Sequence, residues 1–144
     1  MSLRVVLDST VLVSAFLTPG GAADAVLQGA IQERFTCCLA EEIIEETARR
    51  LFSSRLQQRY AYVDGDVDTF AAVLRAVFLL FSDLPPLTGI VRDPNDDMII
   101  ACAVAASASY VVTRDLDLLS LGVYEQIAVV TPEAFLVLLR AREA

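Results

Sequence analysis

The 144-residue chain has no histidine, no tryptophan and no lysine, so all eleven of its basic residues are arginine. Without histidine there is no Ser-His-Asp triad and no imidazole ligand for zinc. Without lysine there is no Schiff base, no Walker-type phosphate lysine and no receiver-domain lysine. Cysteine is scarce: Cys37, Cys38 and Cys102 are odd in number and lack Cys-x-x-Cys spacing. On a strand, adjacent positions 37 and 38 point to opposite sides, so a bond between them is not expected. The three read as small buried hydrophobes in a reducing compartment. Long apolar runs are also missing. The uncharged stretch 98–112 falls short of the roughly 20 residues that span a bilayer. The first eight residues lack the apolar core and cleavage site of a signal peptide. The expectation is a cytoplasmic protein without membrane contact.

What remains is carboxylate chemistry. Nineteen acidic residues against eleven arginines give a formal charge of −8. A protein held to nucleic acid by long-range attraction should be basic, so this balance argues against a DNA-coating role. It leaves room for an enzyme that draws a phosphodiester onto a bound divalent metal. Acids gathered at such a site would themselves raise the negative charge.

Hydrophobic residues make up 56% of the chain, enough for a sizeable core. Short β-branched or apolar runs at 4–7, 35–39, 78–81, 110–113 and 127–130 read as strands. Helical spacing separates them at 9–16, 22–33, 41–52, 54–60, 64–77, 98–109 and 116–121. Residues 83–95, with three prolines and a glycine, form a loop. Thr131 as N-cap and Pro132 at the first helical position open a last helix. Strands without period-2 alternation, interleaved with helices, call for a parallel sheet covered on both faces. The expectation is a three-layer α/β/α fold with about five central strands, and one domain over 1–144.

In such a sheet, ligands bind outside the carboxyl ends of the strands, where strand order reverses. Asp8 follows the first strand directly. Thr113, Arg114, Asp115 and Asp117 follow the strand at 110–112, and Asp93, Asp96 and Asp97 precede the helix feeding that strand. Like charges brought together this way need a cation, and a site of carboxylates alone suits Mg²⁺ or Mn²⁺. Several of these acids have a plainer use. Asp93 before Pro94 is a good N-cap, and Asp96 and Asp97 suit a helix dipole. Asp115 and Asp117 could cap the turn after them. Asp8, at the end of a central strand, has the weakest such use.

The succession of Val6-Leu7-Asp8-Ser9-Thr10, a Glu-rich helix, Asp96-Asp97 before Ile99-Ile100-Ala101, and Val111-Val112-Thr113-Arg114-Asp115 resembles the PIN-domain ribonucleases. Within that family the chain resembles the VapC-like toxins of bacterial toxin–antitoxin pairs. The resemblance implies metal-dependent hydrolysis of RNA, leaving a 5′-phosphate and a 3′-hydroxyl. It carries the metal-binding acids onto Asp8, Asp97 and Asp115, with Asp117 as a possible further ligand. The helix glutamate falls at Glu46 by register, with Glu42 as the alternative and Glu41 and Glu45 beside them. Glu46 could instead serve only an i,i+4 ion pair with Arg50. Relatives usually carry asparagine where this chain has Thr10, a hydroxyl with one donor in place of an amide with two.

Thr10 and Thr113 are candidate supporting residues. Arg49 and Arg50, with Arg55, Arg59, Tyr60 and Tyr62, could grip single-stranded RNA or serve only as a solvated helix face. The resemblance also implies an antitoxin partner and a homodimer. Two other classes compete. A PIN fold that has lost cleavage would serve as an RNA-binding scaffold, and Thr10 favours it. A phosphotransfer enzyme is opposed by the missing lysine and by threonine at position 10.

Overall fold

The computed structural model describes residues 2–143, and a six-stranded sheet ordered β3-β2-β1-β4-β6-β5 organises it. The strands are β1 (Arg4–Leu7), β2 (Thr36–Ala40), β3 (Leu79–Phe81), β4 (Tyr110–Val112), β5 (Val123–Tyr124) and β6 (Ile127–Val130). Every neighbouring pair is parallel except β5–β6. The helices are α1 (Ser9–Leu17), α2 (Ala22–Ile31), α3 (Glu41–Leu51), α4 (Ser54–Tyr60), α5 (Asp64–Val77), α6 (Asp97–Ala105), α7 (Leu116–Leu121) and α8 (Pro132–Glu143).

The central strands are buried because both faces are covered. Val5, Val6 and Leu7 have no exposed surface, nor do Cys38, Leu39, Val111 and Val112. Crossovers between parallel strands are right-handed as a rule, which with this strand order puts α1 to α5 over one face and α6 over the other. The packing agrees: α1 lies against α2 and α3, α3 against α5, and α6 against β1, β2 and β4. In α3 the buried set Ile43, Ile44, Thr47 and Leu51 forms one stripe, which leaves the glutamates and arginines on the other side. Helix α6 is apolar almost all round and is buried accordingly.

Two features depart from the sequence pattern. The sheet has a sixth strand, β5, joined to β6 by the two-residue turn Glu125–Gln126. Glu125 takes a left-handed conformation there (φ 53), which sequence would assign to glycine or asparagine. Helix α6 stops at Ala105 rather than running to 109. Ser107 is left-handed (φ 53), and the amides of Ser107 and Ala108 bond back to Val104 (3.1 Å) and Ala103 (2.9 Å). That is a Schellman closure without its usual glycine.

Elsewhere the local signals hold. Thr131 Oγ1 accepts from the Ala134 amide at 3.1 Å, which caps α8. Gly20 adopts φ +84 in the turn between α1 and α2, and its amide bonds Asp24 at 2.8 Å. The three cysteines are free and buried. Burial above all, then Cys38 and Glu42, pushes the Cys102 thiol up to about 12, so it is inert at neutral pH. Among the described residues no single helix is long and apolar enough to cross a membrane.

Candidate metal centre at the carboxyl edge of the sheet

The sheet reverses direction between β1 and β4: the chain leaves β1 toward β2 and later returns to β4 on the other side. Leu7 pairs with Val112 there. The next residues, Asp8 and Thr113, therefore emerge side by side at the switch point. The Asp8 amide bonds the Val112 carbonyl at 3.0 Å, and the Thr113 amide bonds the Val130 carbonyl at 3.0 Å.

Asp8 is only 2% exposed, and its carboxylate is fully held. Oδ1 accepts from the Ser9 amide at 2.7 Å, which caps α1. Oδ2 accepts from Thr10 Oγ1 at 2.8 Å and Thr113 Oγ1 at 2.7 Å. Each hydroxyl is itself set by a backbone amide. The Arg114 amide donates to Thr10 Oγ1 at 3.0 Å, and the Asp115 amide donates to Thr113 Oγ1 at 2.9 Å. With an amide on the acceptor side, the hydroxyl proton is directed at Asp8. Thr10 thus links the first acid to the β4–α7 turn, using both its donor and its acceptor.

Asp115 caps α7: its Oδ1 accepts from the amides of Asp117 (2.7 Å) and Leu118 (3.2 Å). Asp117 is half-buried in the same turn. Asp93 accepts from the Asn95 amide at 3.0 Å and caps the 3-10 turn Pro94–Asp96. The capping uses foreseen for Asp93 and Asp115 are both present.

Asp96 and Asp97 divide the work in a way the sequence does not announce. Asp97 is 5% exposed and turns toward the preceding loop. Its oxygens accept from the amides of Gly89 (3.0 Å), Ile90 (3.1 Å) and Val91 (2.7 Å). Asp96 Oδ2 is buried without a hydrogen-bond partner among the described residues. Burial first, then the charges of Asp115, Asp8, Asp93 and Glu46, pushes the Asp96 carboxyl up to about 7. Asp96 is an acid on which the other carboxylates act. Its only sequence signal was its place in an Asp-Asp pair, and helix geometry alone could not say which member faced the cluster.

Of the four glutamates opening α3, Glu46 is the one among the charges acting on Asp96. Its carboxylate also meets Arg50 at 3.4 Å, so both expected uses coexist. Glu41 pairs with Arg75 on α5, with a 2.8 Å bond from Nε. Glu42 is exposed and acts on Cys102. Arg49 lies on the exposed side of α3. It lines a cleft between α3 and α5 with Glu45, Phe52 and Arg75. Tyr62 is committed to structure: its hydroxyl donates to the Leu51 carbonyl at 2.6 Å, and its ring packs edge-on against Phe16.

The acids converge without forming a finished coordination shell. Among the described residues, no three Asp, Glu or Cys side chains stand ready to hold an ion together. The donor set is nevertheless all oxygen, which suits a hard divalent cation. The buried oxygen of Asp96, without a partner among the described residues, suits a cation or a donor.

A sequence profile of the PIN domain matches residues 4–117. The chain belongs to the PIN domain family. PIN domains are typically nucleases and generally use divalent metals. The match takes in β1, α3, the Asp96–Asp97 pair and the β4–α7 turn, and so every acid placed at the candidate site. The chain matches no curated protein sequence.

Proposed function

We propose that this PIN domain is a Mg²⁺- or Mn²⁺-dependent endoribonuclease and the toxin of a toxin–antitoxin pair. The observation that carries the metal reading is Asp96 Oδ2, buried and unpaired among Asp8, Asp115 and Glu46. In this reading Asp8, Glu46, Asp96 and Asp115 hold the cation, with Asp117 beside them. Asp96 takes the role that the family register gave to Asp97, whose carboxylate is occupied by the 89–91 backbone. When bound, a divalent cation supplies charge for a phosphodiester and lowers the pKa of water.

The chain's own residues orient and exclude. Thr10 and Thr113 fix the Asp8 carboxylate, so it needs no rearrangement to act. Threonine in place of the relatives' asparagine supports activity here, because Thr10 also receives the Arg114 amide. Arg50, tied to Glu46, brings a cation to the edge of the acids. RNA as substrate, with a 5′-phosphate and a 3′-hydroxyl as product ends, follows from the likeness to PIN ribonucleases.

The partner readings have their own support. An apolar groove of about 580 Å³ lies between α1–α2 and α4–α5, walled by Phe16, Tyr62, Phe70 and Val73, and would take an antitoxin segment. Val77, Leu79 and Leu80 are exposed at the β3 edge and offer apolar surface to a homodimer. One sheet and one continuous core support a single domain over 1–144. Three free thiols support a cytoplasmic location.

The test is cleavage of a mixed single-stranded RNA pool in EDTA, Mg²⁺ or Mn²⁺, with Asp8→Asn and Asp96→Asn beside the unaltered protein. Cutting that needs metal and disappears in both variants supports the reading. A protein that binds RNA but neither metal nor product would instead be a PIN-fold scaffold.

A further inference from the structure

We infer that Arg114 is a phosphate-binding residue at the carboxyl edge of the sheet, held ready by an exchangeable ion pair with Glu133. The inference rests on the nuclease reading for the site and adds the group that receives the polyanion. Its starting point is a charge problem. The chain carries −8, and the carboxyl edge gathers Asp8, Asp96, Asp115 and Glu46, so a single-stranded RNA approaching it meets repulsion. A cation anchored at that edge and not consumed by the acids would offset it.

Arg114 meets both conditions. Its backbone is part of the site: it lies between Thr113 and Asp115, and its amide donates to Thr10 Oγ1 at 3.0 Å. Its side chain points elsewhere. The guanidinium forms a two-pronged pair with Glu133 on the first turn of α8, Nη1 to Oε1 at 3.1 Å and Nη2 to Oε2 at 2.9 Å. The other paired arginines differ. Arg50 is bonded to Glu46, one of the acids themselves. Arg34 pairs with Glu143, and Arg75 with Glu41. Arg4 donates to the Ala106 carbonyl.

The pair is also suited to exchange. Both side chains are substantially exposed, 38% for Arg114 and 60% for Glu133, and exposed pairs contribute little net stability. A phosphate presents two oxygens to the same planar fork and accepts the same parallel hydrogen bonds. Glu133 therefore fixes the guanidinium in the absence of RNA and yields it to a backbone phosphate.

The test is binding of a fluorescein-labelled single-stranded oligoribonucleotide, followed by anisotropy across a salt series, together with cleavage of the same RNA. Arg114→Ala should raise Kd about tenfold or more. It should also lower the slope of log Kd against log salt by about one phosphate contact. Arg114→Lys should restore only part of the affinity, because an ammonium lacks the fork. Glu133→Gln should tighten binding severalfold by removing the competitor. Arg34→Ala, which breaks the Arg34–Glu143 pair, should leave Kd within about twofold. Arg114→Ala binding as tightly as Arg34→Ala, or an unaltered protein that binds no RNA, overturns the inference. Cleavage reports on the nuclease reading separately. RNA bound through Arg114 but never cut defeats that reading alone, and RNA cut as usual with Arg114→Ala binding normally defeats this inference alone.

Discussion

At the scale of single residues, the account turns on how carboxylates are compensated. Asp8 has three hydroxyls and an amide, and Asp97 has three amides. Asp96 Oδ2 has no partner among the described residues. The consequence for stability has a definite sign. The folded Asp96 carboxyl titrates at about 7, above its ordinary value of 3.8, so between those values the folded chain keeps a proton the unfolded chain has released. Stability therefore falls as pH rises across that window. The full linkage would be about 4 kcal/mol. Partial solvent access reduces it to about 1–2 kcal/mol. In EDTA, Asp96→Asn should melt higher than the unaltered protein at pH 8 and about equally at pH 4.5, measured by calorimetry. Thr113 works in the opposite direction. It has no exposed surface and joins the Asp115 amide to Asp8, so Thr113→Val leaves a buried donor and acceptor unpaired. That should cost about 1–3 kcal/mol in urea unfolding at unchanged m.

At the scale of elements, the strands and helices around the site were legible because burial on both faces leaves a plain mark. Val5-Val6-Leu7 and Tyr110-Val111-Val112 are apolar without alternation, and each ends on a polar residue at the switch point. The acids Asp8 and Asp115 were legible for the same reason: their place follows from where a strand ends. Which of Asp96 and Asp97 bonds the 89–91 backbone was not legible, because a difference of one residue at a helix start depends on the path of the 83–95 loop, which has no periodicity to read. β5 and the end of α6 were hidden for a related cause. Glu125 and Ser107 adopt left-handed conformations that sequence assigns to glycine or asparagine. Arg49 and Tyr62 drew attention as an RNA grip by composition alone; Arg49 lines the α3–α5 cleft, and the Tyr62 hydroxyl bonds the Leu51 carbonyl. The loop makes its own prediction. Asp97→Asn replaces a charged acceptor by an amide that can accept on one atom only. It should destabilise the fold by about 1–3 kcal/mol and speed hydrogen exchange at Gly89, Ile90 and Val91.

At the scale of the whole molecule, an acidic chain places its carboxylates where the strand order reverses, which is where an open α/β sheet offers a crevice. Asp8, Glu46 and Asp115, from three separated segments of the chain, all act on Asp96 and raise its carboxyl. In the proposed reading a divalent cation would relieve that charge. The most direct measurement is calorimetric titration of Mn²⁺ into the unaltered protein, Asp96→Asn and Asp97→Asn at pH 7.5, with a thermal melt of each. The account predicts that Asp96→Asn loses Mn²⁺ binding and its stabilisation while remaining folded, and that Asp97→Asn melts lower yet still binds. Mn²⁺ binding that survives in Asp96→Asn and vanishes in a fully folded Asp97→Asn would contradict it.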